Sequence, residues 1–362
     1  MNKIKHLLWS ITLVFCLITF YSFSSQAQNI IAQVDTSYTG IKNLEVKARF
    51  CRVEVGAVSN TDKVAFFGEI TGNHDRGKYK FRHEKVGNTL KVWLEGKSSF
   101  SIGINVSVIN RSRLLFKIPR GVNVVVENGS GSVRGYSLNG AITHLSAGSG
   151  SVKAENINSS KVYMKAGSGS VKGENIGGET LNFKTGSGSL RVENLSGKTI
   201  TARTGSGGQR WANVNGAFTT QAGSGGIKID GNNGNVDVRT GSGTIRVANV
   251  KGNVKAKAGS GGIRLSNIQG MLHLTTRSGG ISGDGIMLTG NSEFQSSSGG
   301  IRIKLKNNLN QLDFDLKAGS GSLRVGRERS GKRLVLKNGN GILVTGTSRS
   351  GSQRYLSFGT RD

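Results

Sequence analysis

Ala147-Gly148-Ser149-Gly150-Ser151-Val152-Lys153-Ala154-Glu155-Asn156-Ile157 is followed, 19 residues on, by Ala166-Gly167-Ser168-Gly169-Ser170-Val171-Lys172-Gly173-Glu174-Asn175-Ile176. The two stretches differ at one position, Ala154 against Gly173. The same Gly-Ser-Gly corner begins at Gly129, Gly148, Gly167, Gly186, Gly205, Gly223, Gly241 and Gly259, in steps of 19 and then 18 residues. Degenerate copies follow at Arg277, Ser297, Gly319 and Gly339. A fixed period near 20 residues is the mark of a solenoid, in which each copy is one turn of a stack.

Inside each copy the apolar residues alternate. Four positions after the corner's first glycine stand Val133, Val152, Val171, Leu190, Ile227, Ile245, Ile263, Ile281, Ile301 and Leu323. Two residues later come Ala154, Val192, Trp211, Ile229, Val247 and Leu265, with a polar residue between, the period of a half-buried strand. A second strand precedes the next corner, with Val162, Leu181, Ile200, Phe218, Val236, Val254 and Leu272 facing inward. Between the strands, Asn156, Asn175, Asn194, Asn213, Asn249 and Asn267 share one coil position, and Gly178, Gly197, Gly216, Gly234, Gly252 and Gly270 close the turn. Asparagine and glycine both tolerate positive φ, and stacked asparagines satisfy one another, here expected at a buried corner. A unit of this size cannot bury its own apolar face, so the copies must stack. Twelve copies at strand spacing make a rod of roughly 55 Å.

The sequence therefore predicts an all-β fold: a parallel β-solenoid with two main strands per 18–20-residue coil and an irregular β N-terminal cap. Residues 1–27 read as a signal peptide, with Lys3 and Lys5, an apolar run from Leu7 to Phe20, and small residues at Ser25 and Ala27. Residues 28–120 read as irregular β coils or a cap, 121–346 as the repeat, and 347–362 as a C-terminal cap or tail. The apolar run is shorter than a membrane span, so the mature chain is expected to be exported without a transmembrane segment. Periplasm, outer cell envelope and extracellular space all remain open. Cys16 leaves with the signal and Cys51 stands alone, so no intrachain disulfide forms; Cys51 reads as a buried small hydrophobe.

Phe116-Lys117-Ile118-Pro119-Arg120-Gly121, then Val122-Asn123-Val124-Val125-Val126, then Gly129-Ser130-Gly131-Ser132-Val133, resembles the bacterial adhesin-like domains of unknown function (DUF4097 and the head GIN type). The resemblance covers about residues 38–345 and implies an exported β-solenoid. It supplies no binding residues to carry over. The acidic residue usual after Gly-Ser-Gly in that group is replaced here by Ser151, Ser170, Gly226 and Gly262.

The formal net charge is +28, which favours anionic partners. Stacking places Arg134, Lys153, Lys172, Arg191, Arg210, Lys228, Arg246, Arg264, Arg302 and Arg324 in one outward column, the candidate ligand-binding residues. A second column is expected from Lys165, Lys184, Arg203, Arg239, Lys257, Lys317 and Lys337. Such a surface suits anionic polysaccharide, lipopolysaccharide or another cell-surface polyanion. Without a helix motif or a set of base-stacking aromatics, no specific nucleic acid is expected. The plainer reading is that the cations keep a long β rod soluble, as in an envelope scaffold or stress-linked accessory protein. A β-helix enzyme acting on acidic polysaccharide is the third reading. Its carboxylates would come from Asp230 with Asp237 or Asp313 with Asp315. His74, His83, His144 and His273 lack metal-ligand spacing, and neither a metal nor a cofactor is called for.

Overall fold

When β-branched and aromatic residues alternate with polar ones at a fixed 18–20-residue period, each side chain meets its counterpart one coil away. The register of the chain follows that rule in a computed structural model, which describes residues 29–72, 78–96, 109–339 and 341–359. The strand Val171–Thr185 lies parallel to Leu190–Thr204, pairing Val171 with Leu190, Lys172 with Arg191, Ile176 with Leu195 and Leu181 with Ile200. Leu190–Thr204 pairs in turn with Gln209–Ala222, and here the register slips by one residue between Ser196 and Thr199. That slip is the cause of the change from a 19- to an 18-residue period: the later coils carry one residue fewer at this turn. Among the described residues there is no α-helix, only the short 3-10 turn Leu309–Gln311.

The expected inward columns form one continuous core from Ile31 to Tyr355, with Val152, Val171, Ile245, Ile263 and their equivalents fully buried. Gln209 and Gln353 interrupt this aliphatic column. Both are buried, and each is followed two residues later by a buried aromatic with a polar atom, Trp211 and Tyr355. Gln209 Nε2 donates to Thr204 Oγ1 (3.0 Å) and to the Gln221 carbonyl (2.7 Å), while Gln209 Oε1 accepts from Trp211 Nε1 (3.0 Å) and from the Thr220 hydroxyl. Phe183 and Phe218 flank Trp211 edge-on, with ring centroids 5.5 and 4.9 Å away.

Glycine is required at the Gly-Ser-Gly corners by the closeness of successive backbones. A Cβ on Gly186 would lie 2.6 Å from the carbonyl oxygen of Gly167. At the other corner the asparagines do take left-handed φ, from 51° at Asn267 to 57° at Asn194. Their side chains form the expected ladder, Asn175, Asn194 and Asn213 each donating at 2.9 Å to the asparagine one coil earlier. This corner is exposed, not buried as expected: the strand flanks it with inward residues such as Ala154 and Ile157, which leaves the intervening asparagine pointing out.

Both ends of the rod depart from chain order. At the N-terminal end, Asn43–Lys47 and Arg52–Val58 form a coil whose corner is Arg49-Phe50-Cys51. It lies between the coil of residues 123–136 and the strands Thr89–Gly96 and Ile109–Pro119. Antiparallel partners extend this end, with Lys63–Gly72 between Ile30–Thr39 and Ile109–Pro119, and Tyr79–Val86 beside Thr89–Gly96. At the other end Leu343–Ser348 and Gln353–Ser357 insert between the coil of residues 292–305 and that of residues 313–325. The last coil in sequence is thus an inner coil in space, and the strands Glu328–Ser330 and Arg333–Leu336 fold back antiparallel on the outermost one. The degenerate copy expected at Gly339 is not a coil corner. Arg349-Ser350-Gly351 takes that place, Ser350 N bonding to the Ser297 carbonyl and Ser320 N to the Arg349 carbonyl.

Candidate functional site

The polar residue between two inward ones must point to solvent, and the parallel register then fixes what it meets. Arg134 is opposite Lys153, Lys153 opposite Lys172, and Lys172 opposite Arg191. Arg191, Arg210, Lys228, Arg246 and Arg264 continue the column without a break. Seven strand steps separate Arg134 from Arg264, about 34 Å at ordinary strand spacing. Ser282 interrupts the column, which resumes at Arg302. Arg302 is next to Arg354, and Arg354 next to Arg324, so Arg302 and Arg324 are not neighbours. Arg354 is the member that sequence reading missed. Its signal was present: Gly208-Gln209-Arg210-Trp211 and Ser352-Gln353-Arg354-Tyr355 share one pattern.

Beside these cations the floor is bare. Two positions before each one stands a small residue, such as Ser170 before Lys172 or Gly208 before Arg210. A groove runs here from Ser170 to Arg246, walled by Lys172, Arg191, Arg210 and Lys228, and a second covers Arg264, Arg302 and Arg354. Hydroxyl contacts tie part of the floor together, Ser170 Oγ to Ser189 Oγ at 3.2 Å.

On the far side of the cations the charge is partly compensated. Glu155, Glu174 and Glu193 form their own column two residues after Lys153, Lys172 and Arg191. Glu155 is hydrogen-bonded to Lys153 and raises that ammonium's pKa. The counterparts beyond Glu193 are Ala212, Asp230, Ala248 and Ser266, so compensation thins from Arg210 onward.

The second basic column is shorter than expected. Lys165, Lys184 and Arg203 are consecutive, then Gln221 intervenes before Arg239 and Lys257. Lys317 shares the column only across Thr275, Gln295 and Thr347. Lys337 is not in it, because the chain has turned antiparallel at Arg333–Leu336 just before.

The carboxylates weighed for catalysis have structural partners. Asp230 Oδ1 accepts from Asn249 Nδ2 (2.8 Å), carrying the asparagine ladder past Gly231. Asp237 pairs with Arg239 at 2.9 Å, Asp313 accepts from the backbone of Asn338 and Gly339, and Asp315 lies 3.5 Å from Arg333. Cys51 is buried, as the sequence implied, and burial pushes its thiol up to about 12. Among the described residues no three His, Cys, Asp or Glu side chains gather as metal ligands, and no helix is long and apolar enough to cross a membrane; His74 lies outside the described residues.

Two solved structures match at low similarity. A putative cell adhesion protein from Clostridium sporogenes is 10% identical over 90% of this chain and 98% of its own, with a TM-score of 0.23. A putative adhesin from Bacteroides fragilis is 13% identical over 62% of this chain and 96% of its own, with a TM-score of 0.35. No curated protein sequence matches. The Toastrack DUF4097 family model matches residues 41–258 and 232–354, nearly the whole stack of coils. The chain belongs to the Toastrack DUF4097 family.

Proposed function

We propose that this is an exported, non-catalytic binding protein that holds a linear cell-surface polyanion, an acidic polysaccharide or lipopolysaccharide, along the column from Arg134 to Arg264. One observation carries the reading: eight cations follow one another without a break beside a floor of serine, glycine and one threonine, Thr244. Stacking like charges at strand spacing is unfavourable, and a bound polyanion relieves that repulsion. The spacing also favours the chemistry. A polymer with one anionic group per sugar, every roughly 5 Å, can meet one cation per strand, whereas duplex DNA presents a charge about every 1.7 Å of its axis. Export rests on the signal-peptide reading of residues 1–27, which lie outside the described residues.

The test is retention of the processed chain on immobilised polygalacturonate and on lipopolysaccharide as salt is raised. Replacing Lys172, Arg191, Arg210 and Lys228 by serine is expected to move elution to much lower salt. Unchanged elution would refute the proposal. The scaffold reading draws on the glutamate column beside Lys153, Lys172 and Arg191, which gives part of the face its own internal compensation. That reading expects the serine variant to lose solubility while polymer retention stays as before.

A further inference from the structure

In a repetitive rod, chemistry particular to one place lies where the repeat breaks. The asparagine corner breaks twice: at Gly231, where Asp230 carries the ladder on, and at Gly285, whose φ is 67° and which has no such bridge to a following asparagine. The ladder ends one coil earlier at Asn267, which donates to Asn249 at 3.3 Å. A Cβ on Gly285 would lie 2.8 Å from Asn267 Oδ1 and 3.4 Å from the ring of Phe358. Beside Gly285 a notch of about 390 Å³ opens over the buried Val250 and Ile268, and glycine keeps its rim clear of a side chain.

The residues around this notch depart from the corner's usual composition. In earlier coils the column beside the asparagines is small and neutral, running Asn158, Gly177, Ser196, Asn215 and Asn233. Here it becomes Lys251, Gln269 and Met287, with Lys306 on the next coil. Phe358, half exposed, stands beside the notch, next to Gly285 and Lys306; its backbone N–H bonds to the Leu305 carbonyl at 2.7 Å, and Lys306 Nζ stands 5.4 Å from its ring centroid. The nearest carboxylate in sequence, Asp284, belongs to the strand column shared with Ser266.

We infer that this notch is a second, separate binding site, for a single acidic pyranose unit. An apolar floor with an aromatic ring at its rim suits the C–H face of a sugar ring, as in concave sites where a few polar groups fix orientation. The amides of Asn267 and Gln269 suit the hydroxyl edge. Lys306 and Lys251 select for a carboxylate or sulfate. Unlike the basic column, which grips any register of a polymer equally, the notch takes one sugar at one place.

Methionine methyl groups read the site directly. From residue 28 onward the methionines are Met164, Met271 and Met287. Digalacturonate is titrated into the chain carrying 13C-methyl methionine, in about 1 M salt, where exposed charges are screened beyond roughly 3 Å. The Met287 resonance is expected to shift saturably while that of the core residue Met164 stays still. Phe358→Ala is expected to weaken the titration about three- to tenfold, the loss of one aromatic contact, and Lys306→Gln to erase the preference over neutral digalactose. The triple variant Arg210→Ser, Lys228→Ser, Arg246→Ser separates this site from the basic column: it keeps the Met287 titration whether or not polymer retention falls. A Met287 methyl that does not respond, an unchanged titration in Phe358→Ala, or loss of the Met287 response in the triple variant each overturn the inference.

Discussion

Replacing Gln209 by leucine tests how the core tolerates a polar residue in an aliphatic column. By size and position leucine belongs there, since the neighbouring coils carry Leu190 and Ile227 at the same place. Leucine gains about 1.5–3 kcal/mol of apolar burial. It also strips a partner from four groups, the Trp211 indole N–H, the Thr220 and Thr204 hydroxyls and the Gln221 carbonyl. Each unsatisfied buried group costs about 1–3 kcal/mol, so even at about 1 kcal/mol apiece the net loss is about 1–2.5 kcal/mol, and it grows with the higher figure. Removing the stranded donors with the glutamine, in Gln209→Leu with Trp211→Phe and Thr220→Val, should recover most of it, because exchanging both partners for apolar groups is close to neutral. Urea unfolding followed by circular dichroism and hydrogen exchange at residues 209–222 measures both variants, the exchange data allowing for coils that open separately. A neutral single variant, or a triple variant no better than the single, would refute the argument that hydrogen bonding makes Gln209 necessary.

Three further outcomes follow from the same geometry. Gly186→Ala places a Cβ against the Gly167 carbonyl and should destabilise the adjoining coils by about 1–3 kcal/mol; Gly331→Ala, with open space around it, should be silent in the same unfolding assay. Asn194→Ala must hold an alanine near φ 57° and should cost about 1 kcal/mol more than Asn194→Gly; equal losses would mean that the ladder's side-chain bonds, and not the backbone, set the residue. Because burial raises the Cys51 thiol to about 12, its contribution is complete below the unfolded-state value near 8.5 and is lost as pH rises toward 12, at up to about 1.4 kcal/mol per pH unit. Alkaline unfolding should therefore be shallower in Cys51→Ala over that window; in its upper part, above about pH 10, the similarly raised Tyr355 phenol adds the same further loss to both proteins.

The coils were legible in the sequence because one side chain in two is buried and the period is strict. Val152, Val171 and Leu190 announce a column before any coordinates are known, and Lys153, Lys172 and Arg191 must then form another beside it. Reading stopped where the stack stops following chain order. Arg302 and Arg324 seem adjacent in a list of repeats, and only the insertion of residues 343–357 shows that Arg354 separates them. Gly339 and Lys337 were misplaced for the same reason: a hairpin has no period to reveal that it has left the stack. The aromatic ring beside the notch at Gly285 was illegible because Phe358 is brought there by that same insertion. The substitution of serine and glycine for the family's acidic residue was visible, but its effect was not. It leaves the cations bordered along one side by small uncharged residues, with no carboxylate among them.

The threading of the far end has a consequence for how such a rod is made. Coils from residue 123 to residue 305 can be laid down one upon another as the polypeptide arrives, each new layer finding its template already present. The strands at residues 313–325 arrive with no surface to rest on, because the layer beneath them is the one synthesised last. They must wait, or dock wrongly and let go. Assembly of this end therefore waits for residues 343–357, and a chain cut short near residue 340 should be left with a frayed tip carrying two open β edges, a built-in mark by which a chain lacking that coil differs from one that has it.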